Sequence, residues 1–267
     1  KKIMTNFNKK LSLERFKKYR KRILEISKNV SALHFGGSFS CTEIMEVIYN
    51  YFLKSKIEKD CFILSKGHSS IIQYVILEEK GILKKKQLDM YCKKGGFLGV
   101  HPDRGNPGIN ASTGSLGHGL GMVAGEAIAE RSSKNVIYSV LSDGELQEGS
   151  TWEAAILIGA MKIKNIVIVI DNNNLQSLEE TSKSHPNLYP IKKKFQNFGW
   201  SSVDCNGHNS EEIYKKIKYR DKSKPLALIA KTIKGYPVSY MMNEPIWHYR
   251  SPDKKDYIKA MKEIEEK

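Results

Sequence analysis

Two oxygen-bearing side chains near the middle of the chain have the types and the spacing to hold a hard cation. Asp143 and Asn173 each follow closely on an apolar run, Val136 to Leu141 and Asn165 to Ile170. A carboxylate and an amide oxygen suit Mg²⁺ or Ca²⁺, which take oxygen ligands and complete their shell with phosphate and water. Gly144 and Gly149 let the backbone come close. A helix starting near Ser150 would turn its free N–H groups and positive dipole end toward an anion. The occupant such a site asks for is a diphosphate held through a metal ion.

Histidines form the second chemical set. His34, His68, His101 and His248 sit in glycine-rich or loop segments, where binding groups concentrate. With an ordinary pKa near 6.5 they could hydrogen-bond sugar hydroxyls and move protons near neutrality. His118, His185 and His208 read as structural. Glu148 falls in the first turn of the expected helix, where a carboxylate is a favourable dipole partner in any case. Trp152 and Trp247 read as packing or interface anchors.

The elements that must position these groups follow from hydrophobic patterning. Val136 to Leu141 and Asn165 to Ile170 are apolar on both faces, as central parallel strands must be when helices cover both sides. A helix from Ser150 to Lys162 between them completes a βαβ unit, whose right-handed crossover puts both loops at the carboxyl ends of the strands. Ligands of open α/β sheets bind there. Further strands are expected at Cys61 to Leu64, Ser201 to Asp204 and Leu226 to Lys231, with helices from Ser69 to about Lys80 and Ser210 to about Tyr219. Ser40-Cys41-Thr42-Glu43 reads as a capping box opening a helix to about Leu53. Gly114 to Arg131, small and apolar, suits a tightly packed helix. Residues 93–112 hold five glycines and two prolines and must form a loop. The fold class is α/β, a doubly wound parallel sheet flanked by helices. Residues 1–267 read as one domain, with a basic helical N-terminus over about 1–30 and a loop-rich segment over about 232–267.

Composition excludes several classes. Hydrophobic residues make up 40% and charged residues 27%, ordinary for a chain that buries a core. The net charge of +15 is concentrated: residues 1–22 hold ten Lys or Arg against Glu14 alone. That segment reads as a solvated helix docked through Leu13, Phe16, Tyr19, Ile23 and Ile26 rather than a nucleic-acid site. Cys41, Cys61, Cys92 and Cys205 lie far apart and read as core thiols of a reducing compartment. No apolar run approaches the ~20 residues a membrane span needs, and a cytoplasmic location is expected.

The combination of motifs is specific where each alone is not. Ser142-Asp143-Gly144-Glu145-Leu146-Gln147-Glu148-Gly149, then Trp152-Glu153-Ala154-Ala155, then Asp171-Asn172-Asn173-Asn174-Leu175-Gln176 closely resemble the thiamine diphosphate motif of transketolases. Residues 31–39, 61–68, 98–121 and 231–249 resemble further family blocks in family order. The resemblance implies a thiamine diphosphate-binding fold and transfer of a two-carbon ketol unit from a ketose to an aldose. It implies that Asp143 and Asn173 ligate Mg²⁺ by side chain and Leu175 by its backbone carbonyl. Gly144 would contact the diphosphate, Gly114 and Leu116 would line the cofactor, and His68 and His248 would touch diphosphate or substrate. His34 and His101 would face the reacting carbons, and Glu148 would lie at the subunit interface.

A transketolase site also needs a pyrimidine-binding domain, which supplies a glutamate and the cationic pocket for a sugar phosphate. The expectation is that a separate C-terminal transketolase chain serves as partner, in a heterotetramer of two plus two chains, with no activity in its absence. Three departures from the family pattern bear on substrate: Ser142 for the usual first Gly, Tyr249 after His248, and Phe35-Gly36-Gly37 after His34. They leave the acceptor open to a modified or nucleotide-linked sugar. Two rival readings stand beside this one. One is another thiamine diphosphate enzyme, deoxyxylulose phosphate synthase-like or a dehydrogenase component. The other is a noncatalytic relative with a binding role.

Overall fold

The computed structural model describes residues 6–53, 61–177 and 179–267. The first five residues of the expected basic N-terminal segment lie outside the described residues. Five parallel strands, β1 (Phe62–Leu64), β2 (Ile137–Ser142), β3 (Ile166–Asn172), β4 (Ser201–Asn206) and β5 (Leu226–Lys231), form one sheet in the order β1-β2-β3-β5-β4. The helices that carry the argument are α1 (Lys9–Ser27), α2 (Phe35–Ser40), α3 (Thr42–Val47), α4 (Ser70–Glu79), α5 (Gly119–Ala129), α6 (Gly149–Ala160), α7 (Ile191–Asn197), α8 (Ser210–Lys218) and α9 (Lys254–Glu266).

Side chains of a strand alternate between faces, and the two cores divide along that alternation. Tyr138, Val140, Val167, Val169, Leu226 and Leu228 join residues of α1, α3, α4 and α8 on one face. Ile137, Ile166, Ile168, Ile170, Ala227 and Ile229 join residues of α5, α6 and α7 on the other. β2 and β3 are therefore buried on both sides, which is why their sequences are apolar runs without polar alternation. β4 lies at the sheet edge, and four of its six residues are partly or fully exposed, Ser202 and Cys205 being buried.

The strands, α4, α6 and α8 lie close to their expected bounds, the N-terminal helix runs over Lys9–Ser27 of the expected 1–30, and four readings need correction. The capping box does not form: the Ser40 hydroxyl donates to Asp171 Oδ2 at 2.5 Å, with Gly37 O the second-nearest acceptor at 3.1 Å, while Glu43 pairs with Arg20 in the core. Ser40 is the last residue of α2 and Cys41 stands before α3, so the serine is not at the capping position. The Gly114 to Arg131 helix starts only at Gly119, because Gly114 and Gly117 take φ of +149° and +88°, outside the helical region. Residues 232–253 are largely irregular, but 254–266 are the amphipathic α9, capped by the Asp253 side chain and docked by Ala260 and Ile264. In α1 the docking set also shifts. Tyr19, Ile23 and Ile26 are buried, whereas Leu13 is exposed and Arg20 goes inward.

Candidate active site

The carboxyl ends of β1, β2, β3 and β5 open onto a common cavity of about 250 Å³, lined among others by Lys66, His68, Gly144, Asn173, Lys234 and His248. Parallel strands in register bring these ends level: Ser142 pairs with Asp171, and Asn172 with Lys231. Residues far apart in sequence therefore meet at one edge.

Asp143 begins the turn after β2 and is fully buried. Its Oδ1 accepts from Gly144 N at 3.0 Å and its Oδ2 from Asn174 N at 2.6 Å, which ties the β2 and β3 loops together. Burial, with the Asp171 carboxylate nearby, pushes its carboxyl up to about 6. Asn173 Oδ1 faces Leu175 N at 3.0 Å. Carboxylate, amide oxygen and the Leu175 carbonyl are all hard donors. No group of three His, Cys, Asp or Glu that could hold a metal occurs among the described residues. Such a set suits a hard cation whose remaining ligands come from phosphate and water, so the residues fit a metal bridging to a diphosphate. The Leu175 carbonyl already faces a cation: Lys234 Nζ donates to it at 3.3 Å and to Gln176 O at 2.7 Å.

Two further buried groups, Lys66 and Lys234, escape the motif reading. Lys66 Nζ pairs with Asp171 Oδ2 at 2.5 Å and donates to Gly37 O at 2.9 Å. Burial lowers an ammonium's pKa, but the Asp171 carboxylate outweighs it and holds Lys66 above its ordinary value. Lys234 lacks such a partner. Burial and Lys66 bring it down to about 8. This residue contributes a cationic head to the cavity. The one signal in the sequence is position, a Lys just past a buried strand at the edge where ligands bind.

The four singled-out histidines come together. The His34 ring centroid lies 5.4 Å from His68, 5.2 Å from His248 and 6.3 Å from His101. His68 and His248 line the cavity, while His34 and His101 extend the cluster beyond it. The Gly114 backbone, at φ +149°, packs on the His101 ring so closely that a Cβ would stand 2.9 Å from Cγ. Tyr249, half exposed, lies 4.5 Å from His34. Protonation near neutrality, expected from the ordinary imidazole pKa, is not what the site gives. Burial and neighbouring cationic groups lower His34 to about 3 and His248 to about 4, with His68 well below its usual value. In the chain itself these rings are neutral at pH 7 and serve as hydrogen-bonding groups.

Gly114 and Leu116 line the cavity wall. Glu148 reaches its rim and is exposed at the start of α6. Glu145, three residues before it, is buried. It accepts from Ser65 Oγ at 2.5 Å and Gly117 N at 2.9 Å, and so fastens the 114–117 turn to β1. Of the remaining histidines, His118 and His185 are exposed, and His208 belongs to a buried network behind the site.

The chain matches the model of the transketolase thiamine diphosphate-binding domain over residues 16–265. It is 35% identical to one subunit of the apulose-4-phosphate transketolase of Phocaeicola vulgatus, over 94% of this chain and 92% of that one. Identity to a 6-deoxy-6-sulfo-D-fructose transketolase subunit of a Clostridium species is 32%, over 92% and 93%. Among solved structures, the transketolase of Campylobacter jejuni superposes with a TM-score of 0.91 at 25% identity, covering 97% of this chain and 43% of that chain. The chain belongs to the transketolase family, as a member built on its thiamine diphosphate-binding domain.

Proposed function

We propose that this chain is the cofactor-anchoring half of a two-chain transketolase, in which Asp143, Asn173 and the Leu175 carbonyl hold Mg²⁺ and, through it, the diphosphate. The observation that carries the reading is the meeting of the Asp143 and Asn173 loops with four histidines at one sheet edge. Bound thiamine diphosphate supplies the carbanion chemistry that cleaves and forms carbon–carbon bonds. The chain's own residues do the rest. Gly144, at the turn that opens the cavity floor, lets a phosphate approach the backbone. Lys234 adds positive charge beside the metal position, and Lys66 holds Asp171 and the Gly37 carbonyl in place. His68 and His248, which line the cavity, would touch the diphosphate. The neutral imidazole of His34, and His101 beside it, present hydrogen-bonding groups to the sugar's carbonyl and hydroxyl oxygens.

Relatives of matching length are named as one subunit of apulose-4-phosphate transketolases, which supports a separate partner carrying the pyrimidine-binding half. The assembly we favour contains two chains of each kind, with Glu148 at their junction. The named substrates of the relatives bear a phosphate or a sulfonate, and an anionic ketose is the donor class we assign. Four free cysteines, and no helix among the described residues long and apolar enough to cross a membrane, support a cytoplasmic setting. The test is reconstitution. Mixing this chain with its partner, thiamine diphosphate and Mg²⁺ should produce ketol transfer that neither chain gives alone. Transfer at ordinary enzyme rates by this chain alone would overturn the two-chain reading.

A further inference from the structure

The loop after β5 is fastened at each residue from 232 to 235. Thr232 N donates to Asn172 O at 3.1 Å and its hydroxyl to Asp171, and Gly235 N donates to Gly36 O at 3.2 Å. Lys234 reaches forward, its Nζ donating to the carbonyls of Leu175 and Gln176 and lying 3.0 Å from His248 Nδ1 on the cavity wall. Ile233, immediately before it, is held by a side chain: its N–H donates to His208 Nε2 at 2.9 Å. An Nε2 that accepts must be unprotonated, so His208 carries its proton on Nδ1, which faces Glu43 Oε2 at 3.3 Å. Glu43 is fixed in turn by Arg20 Nη2 at 2.7 Å, and Arg20 also donates to Phe39 O at 2.9 Å. The Tyr236 ring stacks on His208 with centroids 4.1 Å apart. Behind the cavity, then, stands a buried chain from α1 through α3 to the loop that delivers Lys234. Nothing in the cofactor chemistry calls for it.

We propose that His208 is a positioning residue: as a tautomer-fixed hydrogen-bond acceptor for the Ile233 amide, it aims the Lys234 ammonium at the cofactor's diphosphate. A satisfied amide on one side and a stacked ring on the other leave the loop a single arrangement, and Gly36 adds to this from the front. A Cβ there would meet Lys234 Cγ at 2.8 Å, so the lysine stem fills the space that the glycine leaves. With the backbone held on both sides of Lys234, an arriving anion gives up no binding energy to order the ammonium.

The inference rests on the cofactor reading, and the experiment separates the two. Thiamine diphosphate affinity is measured by calorimetry at fixed Mg²⁺ for the chain assembled with its partner, in parallel with thermal unfolding. His208→Asn keeps a donor toward Glu43 but has no acceptor at the Nε2 position, and it should weaken cofactor binding by about tenfold or more, the scale of one coupled buried contact. His208→Gln, whose amide reaches the Nε2 position, should restore affinity to within about threefold of the parent. In a Lys234→Met background, His208→Asn should change affinity by less than about threefold, because the group it aims is gone. Equal loss of affinity with and without Lys234, or lowered unfolding temperature with unchanged affinity, would overturn the proposal and leave His208 a purely structural residue. Failure of the parent complex to bind thiamine diphosphate would instead sink the cofactor reading on which it stands.

Discussion

Replacing Asp143 by Asn separates what a buried carboxylate costs from what it is used for. In the metal-free chain, burial and Asp171 raise its carboxyl from 3.8 to about 6. At about 1.4 kcal/mol per pKa unit this shift corresponds to about 3 kcal/mol. The folded chain binds the proton more tightly than the unfolded chain does. The stabilisation is therefore complete below pH 3.8 and is lost as pH rises through 6, where the ionised group must be carried in the core. An amide in its place does not titrate. It also keeps only one oxygen for the Gly144 and Asn174 amides, a loss of about 1–3 kcal/mol that does not vary with pH. Denaturant unfolding of parent and Asp143→Asn in chelator, from about pH 4 to about pH 7.5, isolates Asp143 with the buried groups it is coupled to, Asp171 and Lys66, because the remaining titrating residues cancel in the difference. The variant should gain about 2 kcal/mol relative to the parent across that range, equivalent to about 4–8 °C at about 2–4 °C per kcal/mol for a chain of this size. Mg²⁺ with thiamine diphosphate should then restabilise the parent alone. A parent-to-variant difference that does not move with pH would show that the carboxyl is not carried as a buried, proton-binding group.

Three further outcomes are expected. Lys234→Met should raise the His248 pKa from about 4, as read by imidazole proton NMR, yet leave it below 6.5, because burial is the larger cause and survives the substitution. Glu148→Gln should leave stability within about 0.5 kcal/mol, the side chain being exposed, while lowering turnover of the reconstituted pair about a hundredfold or more if it serves proton movement at the junction. Ile168→Ala, in the middle of β3 and packed against α5 and α6, should cost about 2–5 kcal/mol in urea unfolding without changing cofactor affinity at saturating protein.

Local pattern carries much of the fold into view. β2 and β3 announce themselves as uninterrupted apolar runs, and their parallel register is what sets Asp143 and Asn173 at the same edge. The histidines stand out because glycine-rich loops surround them. Partnerships that depend on burial are out of reach. Lys66 and Lys234 look like surface lysines in a chain with many of them, and only the fold shows the first pressed against Asp171 and the second facing the cavity. Ser40 has the pattern of a helix cap, but the chain is already helical from Phe35, which the glycines at 36 and 37 hide, and the next helix starts only after Cys41. The helix α9 does carry a signal, Tyr257, Ala260, Met261 and Ile264 at helical spacing, and it is easily passed over because the irregular stretch before it makes the whole segment read as loop. Neutral imidazoles at neutral pH likewise follow from burial and the crowding of cations around His34 and His248, which exist only once the chain has folded.

Whether a metal-bridged diphosphate sits between the β2 and β3 loops is decided by titrating thiamine diphosphate into the chain assembled with its partner, once with Mg²⁺ present and once with Mg²⁺ chelated. One cofactor should bind per chain with Mg²⁺, and binding should be lost both on chelation and in Asp143→Ala. Equal affinity with and without the metal, or an affinity untouched by Asp143→Ala, would mean that the diphosphate is held elsewhere or by other groups.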